Sequence, residues 1–414
     1  MSAPGSAPSG SNPPRLRLRL TAAGEHAVRK GHPWVYSERI RETNREGISG
    51  EVAVVYDRND RFMALGLYDP DSPIRFRVLH AGKPVMVDDA WWRARLAASL
   101  ARREGVATDQ THGLRWINGE SDGWPAMVVD QYAGTLVLKL YSVVWLPRVA
   151  DLTRWLREAL NPERIVLRLS RNAALGFEQA GYHDGQNLWG EDNSPSVVFL
   201  EDGLRFWSDV VKGQKTGFFL DQRDNRRRIG QSSAGLDVLN AFSFSGGFSL
   251  HAARGGARSV TDLDISPHAL EAARRNFALN ATDPRIAAVR HESVQSDAFA
   301  WLERSTDLFD IVICDPPSLA KRETERAGAI EAYHRLAVHS IARVRPGGLL
   351  LAASCSAHVT PEEFYAAVTE AAHRSGRRFV EEGYTGHAPD HPATFDEARY
   401  LKAAYLRFEP GSAQ

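Results

Sequence analysis

The chain has 414 residues with 51 basic and 51 acidic side chains, so its net charge of zero gives no overall sign of a nucleic-acid partner. With 43% hydrophobic and 25% charged residues it has the composition of a globular protein, and its length predicts two or three domains. Its two cysteines, Cys314 and Cys355, are too few for a disulfide framework or a four-cysteine zinc site, so we expect no metal centre and a cytoplasmic location.

Residues 1–14 are expected to form a disordered tail. They are rich in serine, proline and glycine and lack the apolar core of a signal peptide. Elsewhere no apolar run approaches the ~18 residues that are needed to span a bilayer. The sequence therefore predicts no association with a membrane.

Residues 15–88 are predicted to form a small, mostly β domain. Residues 15–20 alternate arginine with leucine, which is the period of a half-buried strand, and further strands are predicted at 51–56, 61–68 and 74–79. Only Glu25 and Glu38 oppose a set of basic residues near the start of this region, namely Arg15, Arg17, Arg19, Arg29, Lys30, Arg39 and Arg41. This pattern indicates either a phosphate-binding patch or a solvated strand face.

Residues 89–195 are predicted to form an α+β middle domain. Helical patterns cover 91–103 and 146–160, and the strands are predicted at 126–130, 135–141 and 165–169. The last five residues of this region, Glu-Asp-Asn-Ser-Pro, have the composition of a linker to the next domain.

Residues 196–414 are predicted to form an α/β domain with a doubly wound, mostly parallel sheet, because strands and helices alternate along them. The strands are predicted at 236–240, 259–263, 309–314 and 348–353. The helices are predicted to begin at Ser249 and to cover 267–279, 329–344 and 361–373, the last with Thr360 as its N-cap.

A loop of small residues follows the first of these strands and contains Asn240, Phe242, Ser243 and Gly246. Glycine lets a ligand approach the backbone, but the loop lacks the Gly-x-Gly-x-x-Gly pattern, which disfavours a dinucleotide. Asp264 ends the next strand roughly 20 residues later, where a carboxylate can accept both ribose hydroxyls of an adenosine. The alternatives are that Asp264 only caps the helix that begins at Pro267, or that Ser266 caps it while Asp264 is free.

Two further residues at strand ends are the expected catalytic pair. Asp315 follows four apolar residues and precedes two prolines, so it lies at the carboxyl edge where doubly wound sheets bind ligands. Cys355 ends the last predicted strand between two serines, which favours a nucleophile over a core cysteine. Cys314 is predicted to point into the core, because neighbours on a strand face opposite sides. Asp297, where a third strand should end, is a candidate to hold an adenine amino group.

Five stretches of the chain resemble motifs of the class I S-adenosylmethionine-dependent methyltransferases, and among these the large-subunit rRNA cytosine-C5 methyltransferase I family. They are residues 30–36, 114–125, 215–226, 315–317 and 354–356. The resemblance implies a Rossmann-like catalytic domain behind an N-terminal PUA domain, which is an RNA-binding fold. It further implies S-adenosylmethionine as cofactor and 23S rRNA as substrate, and it leaves open whether the chain forms a homodimer.

The resemblance also assigns residues to the methyl donor and to the RNA. Residues 215–223 would fold over the donor, which adds Phe219, Asp221, Gln222 and Arg223 to a site that also holds Asn240, Phe242, Ser243, Gly246, Asp264, Asp297 and Asp315. Phe218 and Phe219 are expected either to stack on the adenosine or the target base, or to form a pair in the core. The PUA resemblance assigns RNA contacts to Arg15, Arg17, Arg19, Lys30, His32 and Trp34.

The implied reaction is methylation of cytosine C5, with Cys355 and Asp315 as the catalytic residues. Cys355, as a thiolate of lowered pKa, would add to C6, and Asp315 would hydrogen-bond the N3 edge and stabilise the charge that develops there. His358 and His334 are candidates for the base that removes the C5 proton, only because they lie near the motifs in sequence.

Three alternatives remain open from the sequence. Methylation of an exocyclic amine on adenine or guanine needs no cysteine, but such enzymes place an aromatic residue directly after Pro-Pro, where this chain has Ser318. Methylation of uracil C5 uses the same thiolate chemistry, and only the family resemblance separates it from the cytosine reaction. A catalytically inactive RNA-binding protein is disfavoured by the presence of Asp264, Asp315 and Cys355.

Overall fold

A computed structural model of the chain describes residues 14–410, so the expected tail lies outside the described range except for its last residue. Within that range no helix combines the length and the apolar character that a bilayer crossing needs. The described residues form three successive units, which we call the N-terminal, middle and C-terminal units, each built around its own sheet.

The N-terminal unit is a six-stranded sheet with one helix, α1 (Ala22–Arg29). Its strands are β1 (Arg17–Leu20), β2 (Trp34–Tyr36), β3 (Ile40–Thr43), β4 (Val52–Tyr56), β5 (Phe62–Tyr68) and β6 (Ile74–Ala81). They are ordered β2-β6-β5-β4-β1-β3, so β2 and β3 form opposite edges. Leu16, Leu18 and Leu20 are buried while the intervening arginines face outward, as the alternation predicts.

The positive charge of this unit is smaller than the sequence indicated. Arg19 lies against both Glu42 and Asp60, and Arg29 pairs with Glu25 at 3.0 Å. Folding thus places two further carboxylates, from β3 and from the β4–β5 turn, beside the basic cluster, in addition to the two in the same stretch of sequence.

The middle unit has the predicted α+β character. Its sheet is ordered β11-β10-β9-β8-β7. Its elements are α2 (Asp89–Ala101), β7 (Gly113–Asn118), β8 (Met127–Tyr132), β9 (Thr135–Leu140), α3 (Val149–Leu160), β10 (Arg164–Leu169), α4 (Arg171–Gln179) and β11 (Asn187–Trp189). Four tryptophans, Trp92, Trp124, Trp145 and Trp155, pack against one another in its core, which gives this unit a large apolar interior.

A hairpin that the sequence did not reveal joins the middle unit to the C-terminal unit. It consists of β12 (Ser196–Glu201) and β13 (Leu204–Asp209). Phe199 of this hairpin packs on Tyr132 of β8 at a ring distance of 5.1 Å, inside an apolar cluster that draws residues from both units. The two units therefore share a core across the stretch that was expected to be a linker.

The C-terminal unit is a seven-stranded sheet in the order β16-β15-β14-β17-β18-β20-β19. Its strands are β14 (Asp237–Ala241), β15 (Ser259–Asp264), β16 (Arg290–Gln295), β17 (Phe309–Cys314), β18 (Val344–Ser354), β19 (Phe379–Thr385) and β20 (Lys402–Phe408). Its helices are α5 (Arg223–Gln231), α6 (Gly247–Arg254), α7 (Pro267–Leu279), α8 (Pro284–Ala288), α9 (Ala298–Arg304), α10 (Arg326–Ala342) and α11 (Pro361–Arg374).

The first five strands of this sheet are parallel, as the sequence predicts, and β20 enters antiparallel between β18 and β19. The strand order reverses between β14 and β17. Ligands of doubly wound sheets bind in the crevice outside the carboxyl ends of the strands at such a reversal. The fold therefore places a binding crevice at the ends of β14 and β17.

Residues 386–401, which connect β19 to β20, are held by both of the preceding units. Asp390 accepts both arms of the Arg223 guanidinium and the backbone N–H of Arg115, and Arg103 donates to its carbonyl oxygen at 2.8 Å. Removing one partner from such a buried pair typically costs about 3–5 kcal/mol. The connector therefore depends on the middle unit. If the chain were shortened to begin near Ser196, the C-terminal unit would lose the hydrogen bonds that Arg103 and Arg115 donate to Asp390.

Candidate active site

Asp315 leaves the buried strand β17 at the strand-order reversal. Its Oδ2 accepts a hydrogen bond from Gln222 Nε2 at 3.0 Å, and Asn225 in turn donates to Gln222 Oε1 at 2.6 Å. Burial and the nearby Asp221 carboxylate raise the pKa of Asp315 to about 7. This carboxyl group can therefore gain or lose a proton near neutral pH.

Cys355 follows β18, and its Sγ lies 3.7 Å from the carbonyl oxygen of Pro316, the residue next to Asp315. The side chain is partly exposed. Burial and the Asp315 carboxylate raise the pKa of the Cys355 thiol to about 11, where a lowered pKa was expected. Near neutral pH the thiol therefore keeps its proton, while Asp315 is about half ionised.

Cys314 lies in the core, as strand alternation predicts. It belongs to the apolar cluster between β17 and α10, and burial raises the pKa of its thiol to about 12. A buried and protonated thiol of this kind is chemically inert.

Ser356 ties the loop after β17 to the loop that carries Cys355. Its Oγ accepts hydrogen bonds from the backbone N–H groups of Leu319 at 3.0 Å and Ala320 at 3.2 Å. It also lies 3.1 Å from Ser318 Oγ and 2.8 Å from the Tyr333 hydroxyl. Ser318 thus joins the two loops through Ser356, and Asp315 and Cys355 are fixed relative to each other.

The segment before α5 closes one side of the crevice. Asp221 Oδ2 accepts a hydrogen bond from the Tyr400 hydroxyl at 2.8 Å and lies 3.3 Å from Lys215 Nζ. Although burial opposes its ionisation, Lys215 and other positive groups hold the pKa of Asp221 well below its ordinary value. Phe219 lies under Lys215 Nζ at 4.5 Å and packs edge-on against Phe244 at 4.9 Å. Phe219 and Asp221 thus lie at the crevice with Gln222.

Two residues of this segment face the interior instead. Phe218 is buried against Phe199 and Phe206, so it lies in the core without Phe219, which lies at the crevice. Arg223 is buried and its guanidinium is taken up by Asp390. The structure thus places Arg223, which the resemblance assigned to the donor, in a buried ion pair, and both side chains hold the segment in place.

The loop between β14 and α6 has a strained backbone at two bulky residues. Phe242 and Phe244 adopt φ values of +61° and +48°, in the left-handed region that disfavours such side chains. The Oγ atoms of Ser243 and Ser245 are buried without a hydrogen-bond partner among the described residues. Buried unsatisfied hydroxyls and strain of this kind often mark a ligand site.

Two residues predicted to contact the donor through this loop serve its packing. Gly246 has a φ of +72°, and a Cβ there would lie 2.9 Å from Ala273 Cβ of α7, so glycine is required for helix packing. Asn240 is buried and donates to Ser249 Oγ at 2.8 Å and to Asp262 Oδ1 at 3.3 Å. The structure thus gives these two residues support roles beneath the loop.

Asp264 ends β15 beside this loop. Its two oxygens accept hydrogen bonds from the backbone N–H groups of Phe244 at 2.9 Å and Ser266 at 2.8 Å. Ser266, and not Asp264, caps α7 by accepting from the Ala269 N–H. The adjacent Ile265 is 65% exposed, so an apolar surface and a carboxylate lie side by side at the strand end.

Asp297 follows β16, where a third strand was expected to end, and it caps α9 by accepting from the Ala300 N–H at 2.9 Å. Its Oδ2 accepts no hydrogen bond within the described part of the chain, so it can accept one from an adenine amino group. Together with the unpartnered serine hydroxyls and Asp264, these groups fit the polar edge of an adenosine, while Ile265 and Phe242 offer apolar surface to its rings.

Replacing Asp264 by Ala is expected to weaken binding of the methyl donor by about 1.5–3 kcal/mol, the usual size of a hydrogen bond to a charged group. Calorimetric titration with S-adenosylmethionine measures the decrease. Asp283→Ala is the matched control, because Asp283 likewise accepts a backbone N–H, at the start of α8, and among the described residues it has no hydrogen bond to the loop between β14 and α6. Equal donor affinity in the two folded variants would remove Asp264 from the site.

His358 and His334, the candidates for a base, do not join this group in the structure. His358 is paired at the surface with Glu323, at 3.4 Å. His334 lies on α10, and its Nε2 is buried with no hydrogen-bond partner in the described part of the chain. Neither histidine has a described contact with Cys355 or Asp315, so nearness in sequence did not translate into nearness at the site.

Three residues at the site were absent from the sequence-based assignment: Lys215, Tyr400 and Lys402. Lys215 lies within the recognised motif, so the motif itself could have indicated it. Tyr400 and Lys402 come from the far end of the chain, where Tyr400 lies at the end of the connector and Lys402 begins β20, and neither belongs to a recognised motif. Only the antiparallel insertion of β20 brings them to the crevice.

Comparison with known proteins identifies a methyltransferase domain and a PUA-like domain in this chain. A model of the S-adenosylmethionine-dependent methyltransferases matches residues 183–407, and a PUA-like domain model matches residues 18–81. The chain is 57% identical over 412 residues to a ribosomal RNA large subunit methyltransferase of Deinococcus radiodurans, covering 98% of this chain and 100% of that one.

A second relative, ribosomal RNA large subunit methyltransferase I of an Enterobacter species, is 34% identical over 400 residues, which cover 95% of this chain and 99% of that one. Among solved structures, a protein described as a methyltransferase and crystallised with S-adenosylhomocysteine matches with a TM-score of 0.79 at 20% identity. That match covers 94% of this chain and 99% of the other, and it shows a common fold.

Proposed function

The chain belongs to the S-adenosylmethionine-dependent methyltransferases of the ribosomal RNA large subunit methyltransferase I family, and we propose that it methylates C5 of a cytosine in 23S rRNA. The observation that carries this proposal is the placement of Cys355 Sγ 3.7 Å from the Pro316 carbonyl, beside Asp315. A thiol and a carboxyl group thus share the crevice at the ends of two neighbouring parallel strands. S-adenosylmethionine supplies an electrophilic methyl group on its sulfonium.

Cytosine C5 is a poor nucleophile until a group adds at C6. The Cys355 sulfur forms a bond to C6, which moves the C5–C6 π electrons toward C5 and charge toward N3. Asp315 places a proton on N3 and so neutralises that charge. After C5 has taken the methyl group, a base such as a water molecule accepts the C5 proton, the electron pair of that C–H bond re-forms the C5–C6 double bond and expels the Cys355 thiolate, and N3 returns its proton to Asp315.

The proton balance of the pair suits this sequence of steps. Between the raised pKa of Asp315, about 7, and that of Cys355, about 11, the two groups hold one proton between them for the most part. Attack requires that this proton leave the thiol and reach N3 through Asp315. The thiolate and the protonated carboxyl group form together, so no separate acid is needed.

Cytosine fits the protonated carboxyl group better than uracil does. N3 of neutral cytosine is an acceptor, whereas N3 of uracil carries a hydrogen and would favour an ionised carboxylate. The raised pKa of Asp315 keeps a donor available near neutral pH. Methylation of an exocyclic amine would leave Cys355 without a use, and Ser318 offers no aromatic face for the base.

RNA reaches this crevice only if the target base leaves its stack. Phe219, Phe244 and Tyr400 supply aromatic surface around the crevice, on which a flipped base can rest. We propose that the N-terminal unit binds the RNA backbone through Arg15, Arg17 and Lys30, which are exposed.

His32 and Trp34 lie at the β2 edge of that sheet, away from the arginines of β1. Trp34 Nε1 donates to Glu120 Oε1 at 2.7 Å, and its ring packs on Phe395 at 5.2 Å. We assign these two residues to the junction that supports the connector, with RNA contact at their exposed faces.

Replacing Arg15, Arg17 and Lys30 together by Ala should weaken RNA binding while donor affinity stays unchanged. The salt dependence of log K should become shallower by about 0.7–0.9 for each RNA phosphate that the variant no longer neutralises. Filter binding across a salt series measures this slope. An unchanged slope would place the RNA-binding surface elsewhere. Point variants are preferred to deletion of whole units, because the middle and C-terminal units share a core that a deletion would disrupt.

The experiment that tests the reaction is mass-spectrometric mapping of 23S rRNA from a strain that lacks this protein. We expect one 5-methylcytidine to disappear and to return when the gene is restored. Loss of a 5-methyluridine, or of an N-methylated purine, would instead favour one of the two other reactions.

A further inference from the structure

Lys402 is a buried cation that the reaction described above does not use. It begins β20, opposite Ser354 of β18, and its side chain is 1% exposed. Its Nζ donates to the carbonyl oxygens of Ser356 at 2.5 Å and Val359 at 2.7 Å. Both carbonyls belong to the loop that carries Cys355.

No carboxylate lies within ion-pair distance of this ammonium among residues 14–410. An ammonium group buried without a counter-charge is costly, and burial accordingly lowers the pKa of Lys402 to about 8. Glu363 on α11 is the carboxylate that acts on it, but Arg326 is already paired with Glu363. The remaining group that can become an anion beside Lys402 is the Cys355 thiol.

We propose that Lys402 is a positioning residue for Cys355: its ammonium holds the cysteine loop by two carbonyls and supplies the counter-charge for the thiolate. This inference rests on the proposed role of Cys355. A neutral donor would be enough to hold the two carbonyl oxygens. A lysine at this position adds a full positive charge and a third N–H donor, which a nearby thiolate can use.

The other charges around Cys355 do not serve this purpose. Asp315 and Asp221 both oppose formation of the thiolate, and Asp315 ceases to do so only when it takes the proton. Lys215 favours the thiolate, but it is 40% exposed and already lies against Asp221. Tyr333, on α10, contributes a neutral hydroxyl to Ser356. Among the described charges around Cys355, Lys402 is thus the buried positive charge that has no carboxylate partner.

The test measures how fast iodoacetamide alkylates Cys355, without RNA or donor, in a Cys314→Ala background. At pH 7, where Lys402 carries its proton, Lys402→Gln should react about tenfold more slowly than the parent, because an adjacent opposite charge changes a pKa by about one unit or more. At pH 10, where Lys402 has lost its proton, the two rates should converge. Lys402→Arg keeps its charge at both pH values and should react about tenfold faster than the parent at pH 10.

Tyr333→Phe is the matched control, since it loosens the same loop at Ser356 without removing a charge. It should leave the ratio of rates at pH 7 and pH 10 as in the parent. Methylation by Lys402→Gln at pH 7 should fall about tenfold in kcat with an unchanged KM for the donor, and Arg should restore it.

Two results would overturn the proposal and leave Lys402 with a purely structural role. In the first, Lys402→Gln and the parent are alkylated at equal rates at both pH values. In the second, the rate of Lys402→Gln divided by that of the parent is the same at pH 7 and at pH 10. If the Gln variant does not fold, the Arg variant decides: a rate at pH 10 equal to that of the parent has the same consequence. Alkylation involves no RNA, so it is independent of the reaction. Methylation that survives Cys355→Ala would refute the proposed function while the charge coupling stands.

Discussion

Replacing Cys355 by Ala is expected to abolish methyl transfer, with a fall in kcat of about four orders of magnitude or more, as for other enzymes that lose a covalent nucleophile. Without the sulfur, nothing adds at C6 and C5 remains unreactive toward the methyl donor. Donor affinity should be unchanged, because Cys355 lies at the end of β18 while the donor loop follows β14. Methylation is measured as transfer of labelled methyl groups to RNA.

The matched control is Cys314→Ala, one strand away. Its thiol is buried in the core, so the variant should keep full activity and lose only the stability that a small cavity costs, about 1 kcal/mol. RNA with 5-fluorocytidine at the target should trap a covalent, donor-dependent complex with the wild-type chain and not with Cys355→Ala. Full activity of Cys355→Ala would refute C5 chemistry and favour the exocyclic-amine reaction.

Replacing Asp315 by Asn is expected to lower kcat/KM by about 10²–10⁴, the usual contribution of a positioned proton donor. The pH profile carries the sharper prediction. With pKa values raised to about 7 for Asp315 and about 11 for Cys355, the active pair holds one proton. Wild-type kcat/KM should therefore rise about tenfold per pH unit between pH 5 and 7, as the second proton is lost, and then level off.

In Asp315→Asn the break near pH 7 should disappear, because only the thiol then titrates and activity keeps rising with pH. The stability of the variant is the control for folding. The folded-state pKa of Asp315, about 7, lies above its ordinary 3.8, so the native chain holds the extra proton between these values and loses stability as pH rises through them. Asp315→Asn should thus be at least as stable as wild type at pH 8. A profile with the same break in both chains would exclude Asp315 as the proton carrier.

Much of the C-terminal sheet could be predicted from the sequence, because apolar runs, helical periodicity and capping residues within each segment indicate the buried strands and their crossover helices. The strand Phe309–Cys314 and the helix Pro267–Leu279 have the predicted bounds, and Thr360 caps α11 with a complete capping box. Since parallel strands end on one edge, their order along the chain was enough to bring Asp264, Asp315 and Cys355 to the same side.

Helix α5 shows where such local patterns fail. Its sequence, Arg-Asp-Asn-Arg-Arg-Arg-Ile-Gly-Gln, has the composition of a solvated segment, yet Arg223 and Arg226 are buried. Arg223 pairs with Asp390, 167 residues away, and Arg226 pairs with Glu201 of β12. A charge can be buried only where its partner is, and that partner is set by the tertiary fold.

The sequence by itself thus determined the alternation of strands and helices, the residues at the strand ends and the family resemblance, because these depend on residues close together in the chain. The tertiary structure alone decided how the site is tuned. It raised the pKa of Cys355 where a lowered value was expected, turned Phe218 and Arg223 inward, and inserted β20 so that Lys402 reaches the cysteine loop. Each of these outcomes depends on burial and on charges from distant parts of the chain, and neither quantity is written in a local pattern.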